Sequence, residues 1–156
     1  MMKFQAALLV VADMERSVKF YKEVLGLRVT MDLGANVTLT GGVALQTKES
    51  WCEFISKDAQ SINFGGNAAE LYFEEDAFDE FLEKLAAMKG LVYVHPVREH
   101  SWGQRVVRFY DPDRHILEVG ENMKSVCRRF LDSGMTVEAA ARRMDVPEKF
   151  IRACTR

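Results

Sequence analysis

An α+β fold of two successive βαβββ modules with a helical appendage is what this sequence predicts. A strand-then-helix pattern opens the chain at residues 4–26, the same pattern returns 64 residues later, and the composition changes after Glu121. At 156 residues and 48% hydrophobic content the chain can bury one sizeable core. The formal net charge of -2 gives no global reason to expect a polyanionic partner.

The opening FQAALLVV is apolar and rich in β-branched residues, as a buried strand is. Met14, Val18, Tyr21, Val24 and Leu25 then follow at helical spacing, with Asp13 placed to cap the helix start and Gly26 to end it. LRVTMDLG, NVTLT and VALQT read as short strands separated by turns at Gly34 and at Gly41 with Gly42. TKESWCEFISKDAQSINFGGN is too long and polar for a tight turn. It reads as a crossover in which ESWCEFI forms a short helix and packs Trp51, Phe54 and Ile55 on the body.

Adding 64 carries Leu9 to Phe73, Met14 to Phe78, Tyr21 to Leu85, Gly26 to Gly90 and Val29 to Tyr93 without a gap. AELYFEE is thus the second opening strand, FDEFLEKLAAM its helix, and LVYVHPV, RVVRFY and HILEV the strands that follow. Longer loops then raise the offset to 72, which lays VALQ (43–46) on HILE (115–118). The repeats span about 3–47 and 68–121 within a domain of residues 1–122.

Residues 123–156 read as a separate helical extension, with helices in MKSVCRRFLDSG, TVEAAARRM and PEKFIRACTR. Gly134 is the expected C-cap, Thr136 an N-cap and Pro147 a first-turn residue. Eight basic against four acidic residues give this stretch +4, leaving -6 on the first 122. The last two helices look like a helix-turn-helix, yet Val137, Ala140, Ala141, Met144, Phe150 and Ile151 suffice for a small core, so no nucleic-acid partner is expected. Cys52, Cys127 and Cys154 form no CxxC pair and read as free thiols of a reducing compartment. No secretory leader and no apolar run of roughly 20 residues is evident, so a soluble cytoplasmic protein with a small-molecule ligand is expected, without a membrane partner.

Two motifs, DxxxSxxFYxxxLG at residues 13–26 and WGxRxxxFxDPDxxxxE at 102–118, occur in this order. Over residues 3–121 the chain resembles the vicinal oxygen chelate superfamily of glyoxalase I, the extradiol dioxygenases, and the bleomycin and fosfomycin resistance proteins. Arg114 departs from the glycine usual there. The resemblance implies that the modules curl into a cup-shaped mixed sheet, and that metal ligands come from the first and last strand of each. Carried over, those positions are Ala6, Gln46, Glu70 and Glu118. Three oxygen donors suit a divalent metal, with Ni, Mn or Mg preferred to Zn. Ala6 supplies no ligand, which leaves a site without metal equally open.

Strand alternation gives the proposed cup face Gln46, Glu70, Tyr72, Arg108, Tyr110 and Glu118. Glu70 and Glu118 are the candidate catalytic carboxylates and, with Gln46, the candidate metal ligands. Arg108, Tyr72 and Tyr110, with Trp102 at the rim and His100 from a loop, are the candidate substrate-binding residues. His95 and His115 read as structural or solvent-facing, and Arg105 falls on the helix side. Two functions fit: a metal-dependent glyoxalase-type lyase or isomerase, similar to lactoylglutathione lyase, or a metal-free drug- or metabolite-binding protein similar to the bleomycin resistance branch. The resemblance further implies a homodimer, with or without exchange of modules.

Overall fold

The computed structural model describes residues 1–154, which fall into two compact units. The first holds residues 1–69 together with the 111–115 turn. Its elements are β1 (Ala7–Val11), α1 (Met14–Leu25), β2 (Val29–Asp32), β3 (Asn36–Leu39), β4 (Val43–Thr47), α2 (Lys48–Ile55) and a 3-10 turn at Ala59–Ser61. The strands run in the order β1-β4-β3-β2, with β1 parallel to β4 and the other pairs antiparallel.

Local chemistry sets the ends of α1. The Asp13 side chain accepts from the Arg16 amide at 2.9 Å, and Gly26 (φ 68°) donates its amide to the Lys22 carbonyl. Ser17, Tyr21 and Val24 are its buried residues, while β4 is buried from Val43 to Gln46. The first strand, expected from residue 4, begins only at Ala7. Helix α2 forms where expected, but Phe54 is 70% and Ile55 37% exposed, and the helix buries no residue. It continues directly from β4 and packs chiefly on β4, β1 and the 3-10 turn, so two helical turns have too little sheet beneath them to cover its last residues.

The second unit repeats the plan with β5 (Glu70–Glu75), α3 (Phe78–Ala87), β6 (Tyr93–Glu99), β7 (Arg105–Tyr110) and β8 (Ile116–Glu121), in the order β5-β8-β7-β6. Phe78, Phe81 and Leu85 are the buried face of α3, and the Phe81 and Phe109 rings meet at 6.4 Å. Val107, Phe109, Leu117 and Val119 supply the buried side of β7 and β8. Full burial of each such side chain stabilises by about 1.5–3 kcal/mol.

Helices α4 (Met123–Asp132), α5 (Val137–Met144) and α6 (Glu148–Ala153) follow in the same unit. They gather their own core from Val126, Cys127, Phe130, Ala140, Ala141, Met144, Ile151 and Cys154. Burial pushes the Cys127 thiol up to about 12, so it stays protonated there. Thr136 caps α5 by accepting from the Ala139 amide at 3.1 Å, and Asp145 (φ 53°) turns the chain towards Pro147 and α6. Gly134 (φ 91°) lies one residue past the cap of α4, which is Ser133.

The ladders correct one part of the repeat. In the first unit Val29 pairs with Leu39 and Leu39 with Val43; in the second Tyr93 pairs with Phe109 and Phe109 with Leu117. The offset of 64 between Val29 and Tyr93 therefore grows to 70 at the third strands and 74 at the fourth. Glu118 has Ala44 as its counterpart, and Gln46 has Gly120, so the expected offset of 72 is two residues short. A slip of two preserves the inward-outward alternation, which is why the hydrophobic pattern could not reveal it.

Candidate ligand-binding face of the second unit

Tyr72 pairs with Glu118, Glu118 with Arg108, and Arg108 with His95. In-register partners point to the same side of a sheet, so one polar side chain from each of β5, β8, β7 and β6 stands in a single row. The opposite phase carries Val107, Phe109 and Leu117, each 0% exposed. Burial of that phase forces Arg108 and Glu118 onto the other face.

Arg108 organises the row. Its Nε donates to Glu70 at 2.9 Å, one terminal nitrogen pairs with Glu118, and the other lies 3.3 Å from His95 Nε2. The Glu118 side chain is 8% exposed, that of Arg108 23% and that of Glu70 38%. One cation thus serves two carboxylates and leaves the cluster with a net charge of -1, the more accessible oxygens belonging to Glu70. A charge as buried as Glu118 requires such a partner.

An aromatic edge adjoins the row. The Tyr72 hydroxyl donates to Glu74 at 3.0 Å and accepts from Gln104 Nε2 at 2.8 Å, and burial, with Glu74 beside it, holds the phenol above its ordinary value. Buried Gln104 also donates to the Glu121 carbonyl at 2.9 Å and accepts from Trp102 Nε1 at 3.2 Å. Trp102 stacks on His100 with centroids 4.1 Å apart and planes 14° from parallel. Burial pushes the His100 imidazole below its ordinary value, and Arg108 and His95 add to the shift. Gly120 leaves the space this edge needs: a Cβ there would stand 2.7 Å from Gln104 Nε2 and 3.2 Å from Tyr72 Cε2.

The structure therefore brings Glu70, Glu118, Arg108 and Tyr72 together and links Trp102 to Tyr72 through Gln104. Tyr110 occupies the neighbouring row, paired with Ile116, which pairs with Glu70. His95, Gln104 and Gly120 are additions that sequence reasoning missed. Gln104 was accessible through the alternation that places Arg108 and Val106 on this face. His95 was not, because β6 changes register on both sides of it.

Other polar residues have their own work. Arg105 lies on the helix side, as expected, bound to Asp79 at 2.8 Å and to Glu121 at 3.2 Å. Burial acts to raise the Glu121 carboxyl, but hydrogen bonds from Arg105 and Arg129 outweigh it and hold the group low. In the first unit Asp111 accepts from the Tyr21 hydroxyl at 2.9 Å and from the His115 amide at 2.8 Å, and Asp113 pairs with Arg16 at 2.7 Å. Arg114 keeps the turn with φ 69°, the left-handed conformation that glycine would adopt without strain.

The three oxygen donors expected to serve a divalent metal are each engaged by other residues. Gln46 is 2% exposed, its amide oxygen accepts from Asn36 at 2.7 Å, and its amide nitrogen donates to Ser50. Glu70 and Glu118 are both committed to Arg108. Among the described residues no three His, Cys, Asp or Glu side chains gather as a metal site would require.

Fold and face together define a tandem βαβββ protein with a polar, aromatic-edged face on its second sheet. More specifically, the chain belongs to the glyoxalase-like domain family, which matches residues 4–124. It is similar to a protein of unknown function from Agrobacterium tumefaciens, with 36% identity, TM-score 0.70, and coverage of 78% of this chain and 95% of the other. A glyoxalase/bleomycin resistance protein/dioxygenase from Nocardioides shares the fold at 22% identity and TM-score 0.63, over 78% of this chain and 83% of its own. The Bacillus subtilis protein YraH, described as uncharacterized, is 26% identical over 76% of this chain and 97% of its own length. Among the described residues no helix is long and apolar enough to cross a membrane.

Proposed function

We propose that this glyoxalase-like protein binds a small molecule without a metal, on the face formed by Tyr72, Glu118, Arg108 and His95. The observation that carries the reading is the guanidinium of Arg108 spanning Glu70 and Glu118. It satisfies the carboxylates that would otherwise be metal ligands, and it fixes a preorganised acceptor, Glu70, at the accessible end of the cluster. The net charge of -1 favours a ligand that brings N–H or O–H donors or a positive charge. Tyr72, 48% exposed, and the stacked His100 and Trp102 offer flat surfaces beside it, which suits a planar or heteroaromatic body.

A second reading, the metal-dependent lyase or isomerase, draws support from two carboxylates on one face of neighbouring strands. There Glu70 and Glu118 would turn from Arg108 to the ion, and one would move a proton. Thermal-shift screening separates the two readings. A panel of planar cationic heteroaromatics should raise the melting temperature equally with and without EDTA, and Glu70→Gln should weaken that effect. Stabilisation by nickel, manganese or magnesium that EDTA abolishes, with no organic compound acting alone, would replace the first reading by the second.

A further inference from the structure

All but the first two residues of the C-terminal helices lie beyond the family match, which ends at residue 124, and the Agrobacterium and Nocardioides structures each cover 78% of this chain. Their own core explains why they fold, but not why their polar residues converge on one loop. Arg129 of α4 donates to the Gly103 carbonyl at 2.6 Å and to Glu121 at 3.0 Å. Gly103 has φ 89°, and a Cβ built on it would stand 2.0 Å from Phe130 Cζ, so the tip of that ring packs directly against the loop backbone. The guanidinium groups of Arg129 and Arg143 sit 5.2 and 5.6 Å from the same ring, and Arg143 reaches back to Glu99 at 3.2 Å. The loop so gripped, 100–104, carries the stacked His100 and Trp102 on one side of Gly103 and buried Gln104 on the other.

We propose that Arg129 and Phe130 are positioning residues that hold the His100–Trp102 stack at the edge of the binding face, making the helical appendage part of the ligand site. This inference rests on the reading of the Tyr72–Glu118–Arg108–His95 row as a binding face. A freely moving loop would lose the stack and would have to be ordered anew each time a ligand binds. A clamped loop avoids that cost. The grip reaches the face by two routes, through the Gly103 carbonyl and through Glu121, whose own carbonyl accepts from Gln104.

The test uses the full chain with Trp51→Phe, so that Trp102 is the sole tryptophan. Its fluorescence needs no ligand: an imidazolium stacked on indole quenches emission, so a pH titration reads both the stack and the protonation of His100, whose neighbours include the charged Arg108 and the titratable His95. In the parent the quenching midpoint should lie below the ordinary imidazole value of about 6.5. Arg129→Met, which keeps the stem over Phe130, and Phe130→Leu, which keeps a buried apolar side chain, should raise the midpoint towards that value and open Trp102 to acrylamide. Arg129→Lys should restore part of the parent behaviour, since an ammonium can still donate to Gly103.

Binding of the planar cation found by thermal shift should weaken about tenfold in Arg129→Met, because the His100 and Trp102 side chains must then be ordered on binding. Urea unfolding of each variant gives the folded fraction, so spectroscopic changes are read on folded protein alone. A midpoint and acrylamide access unchanged in folded Arg129→Met and Phe130→Leu would overturn the clamp. An altered loop with unaltered affinity for the cation would show that the stack is positioned but lies outside the site, overturning its role in binding. Failure of every organic ligand to bind the parent would instead remove the reading of the face itself.

Discussion

Arg108→Ala isolates the interaction on which the binding face depends. The variant leaves Glu118, whose side chain is 8% exposed, without its cation. Breaking a fully buried ion pair from one side costs about 3–5 kcal/mol. Arg108 itself remains 23% exposed and Glu70 38%, so water can reach the vacated space. The expected cost is therefore below that range, about 2–3 kcal/mol. At a urea dependence of roughly 1–3 kcal/mol per molar, the midpoint should fall by about 0.7–3 M. The sign of the pH dependence follows from the same burial. Without Arg108 the folded-state carboxyl of Glu118 is raised above its unfolded value, so the folded chain takes up the proton first as pH falls. The deficit relative to the parent should shrink on acidification. Arg108→Met with Glu118→Gln, which removes both charges, should recover most of the loss at neutral pH. An Arg108→Ala midpoint within about 0.3 M of the parent, insensitive to pH and unaffected by Glu118→Gln, would refute the reasoning.

Three further outcomes are expected. Tyr21→Phe removes a buried hydroxyl bonded to Asp111, a charged acceptor that keeps the amides of Asp113 and His115; the cost should be near the lower end for such bonds, about 1.5 kcal/mol, read from urea unfolding. Gly120→Ala places a Cβ against Gln104 and Tyr72; overpacking of about 1–2 kcal/mol should lower the melting temperature by roughly 3–6 °C, with altered Trp102 emission as Gln104 moves. His100 has a folded-state pKa depressed by burial. Below about pH 6.5, and down to the folded value, the unfolded chain binds the extra proton, so stability should rise with pH there. His100→Gln should flatten that slope in a pH series of melting temperatures, and an unchanged slope would show that His100 does not cause it.

The architecture was legible because its cues are local. Asp13 and Gly26 bracket a helix by their own hydrogen bonds, and Thr136 does the same for α5. The alternation along RVVRFY and HILEV puts Arg108 and Glu118 on one face whatever else the chain does. What escaped is information carried between strands. Gln46 and Ala44 share a phase, and only the ladders between strands show that Ala44 stands where Glu118 does. His95 was hidden by the irregular pairing of β6, and the exposure of Phe54 by the small extent of sheet reached by α2. The grip of Arg129 on Gly103 joins residues 26 positions apart that no periodicity relates.

The corrected register changes what the duplication means. In the first unit the row corresponding to Tyr72–Glu118–Arg108–His95 is Leu8–Ala44–Thr38–Met31, on the same pairing pattern. Thr38 offers no cation, so a carboxylate at position 44, where Ala44 is 6% exposed, would be buried and unpaired. Glu118 is tolerable because Arg108 stands opposite it, and Arg108 is held in place by Glu70 on the far side. The three residues thus form one unit of charge, any member of which makes physical sense only with the others. The two halves share a backbone plan but not a chemistry. The polar row of the second half sits in the same unit as the appended helices, whose Arg129 and Phe130 grip the loop at its edge. Polar specialisation of the second sheet and the helical extension that braces it therefore belong to one device, while the first sheet keeps the plainer, more apolar version of the same row.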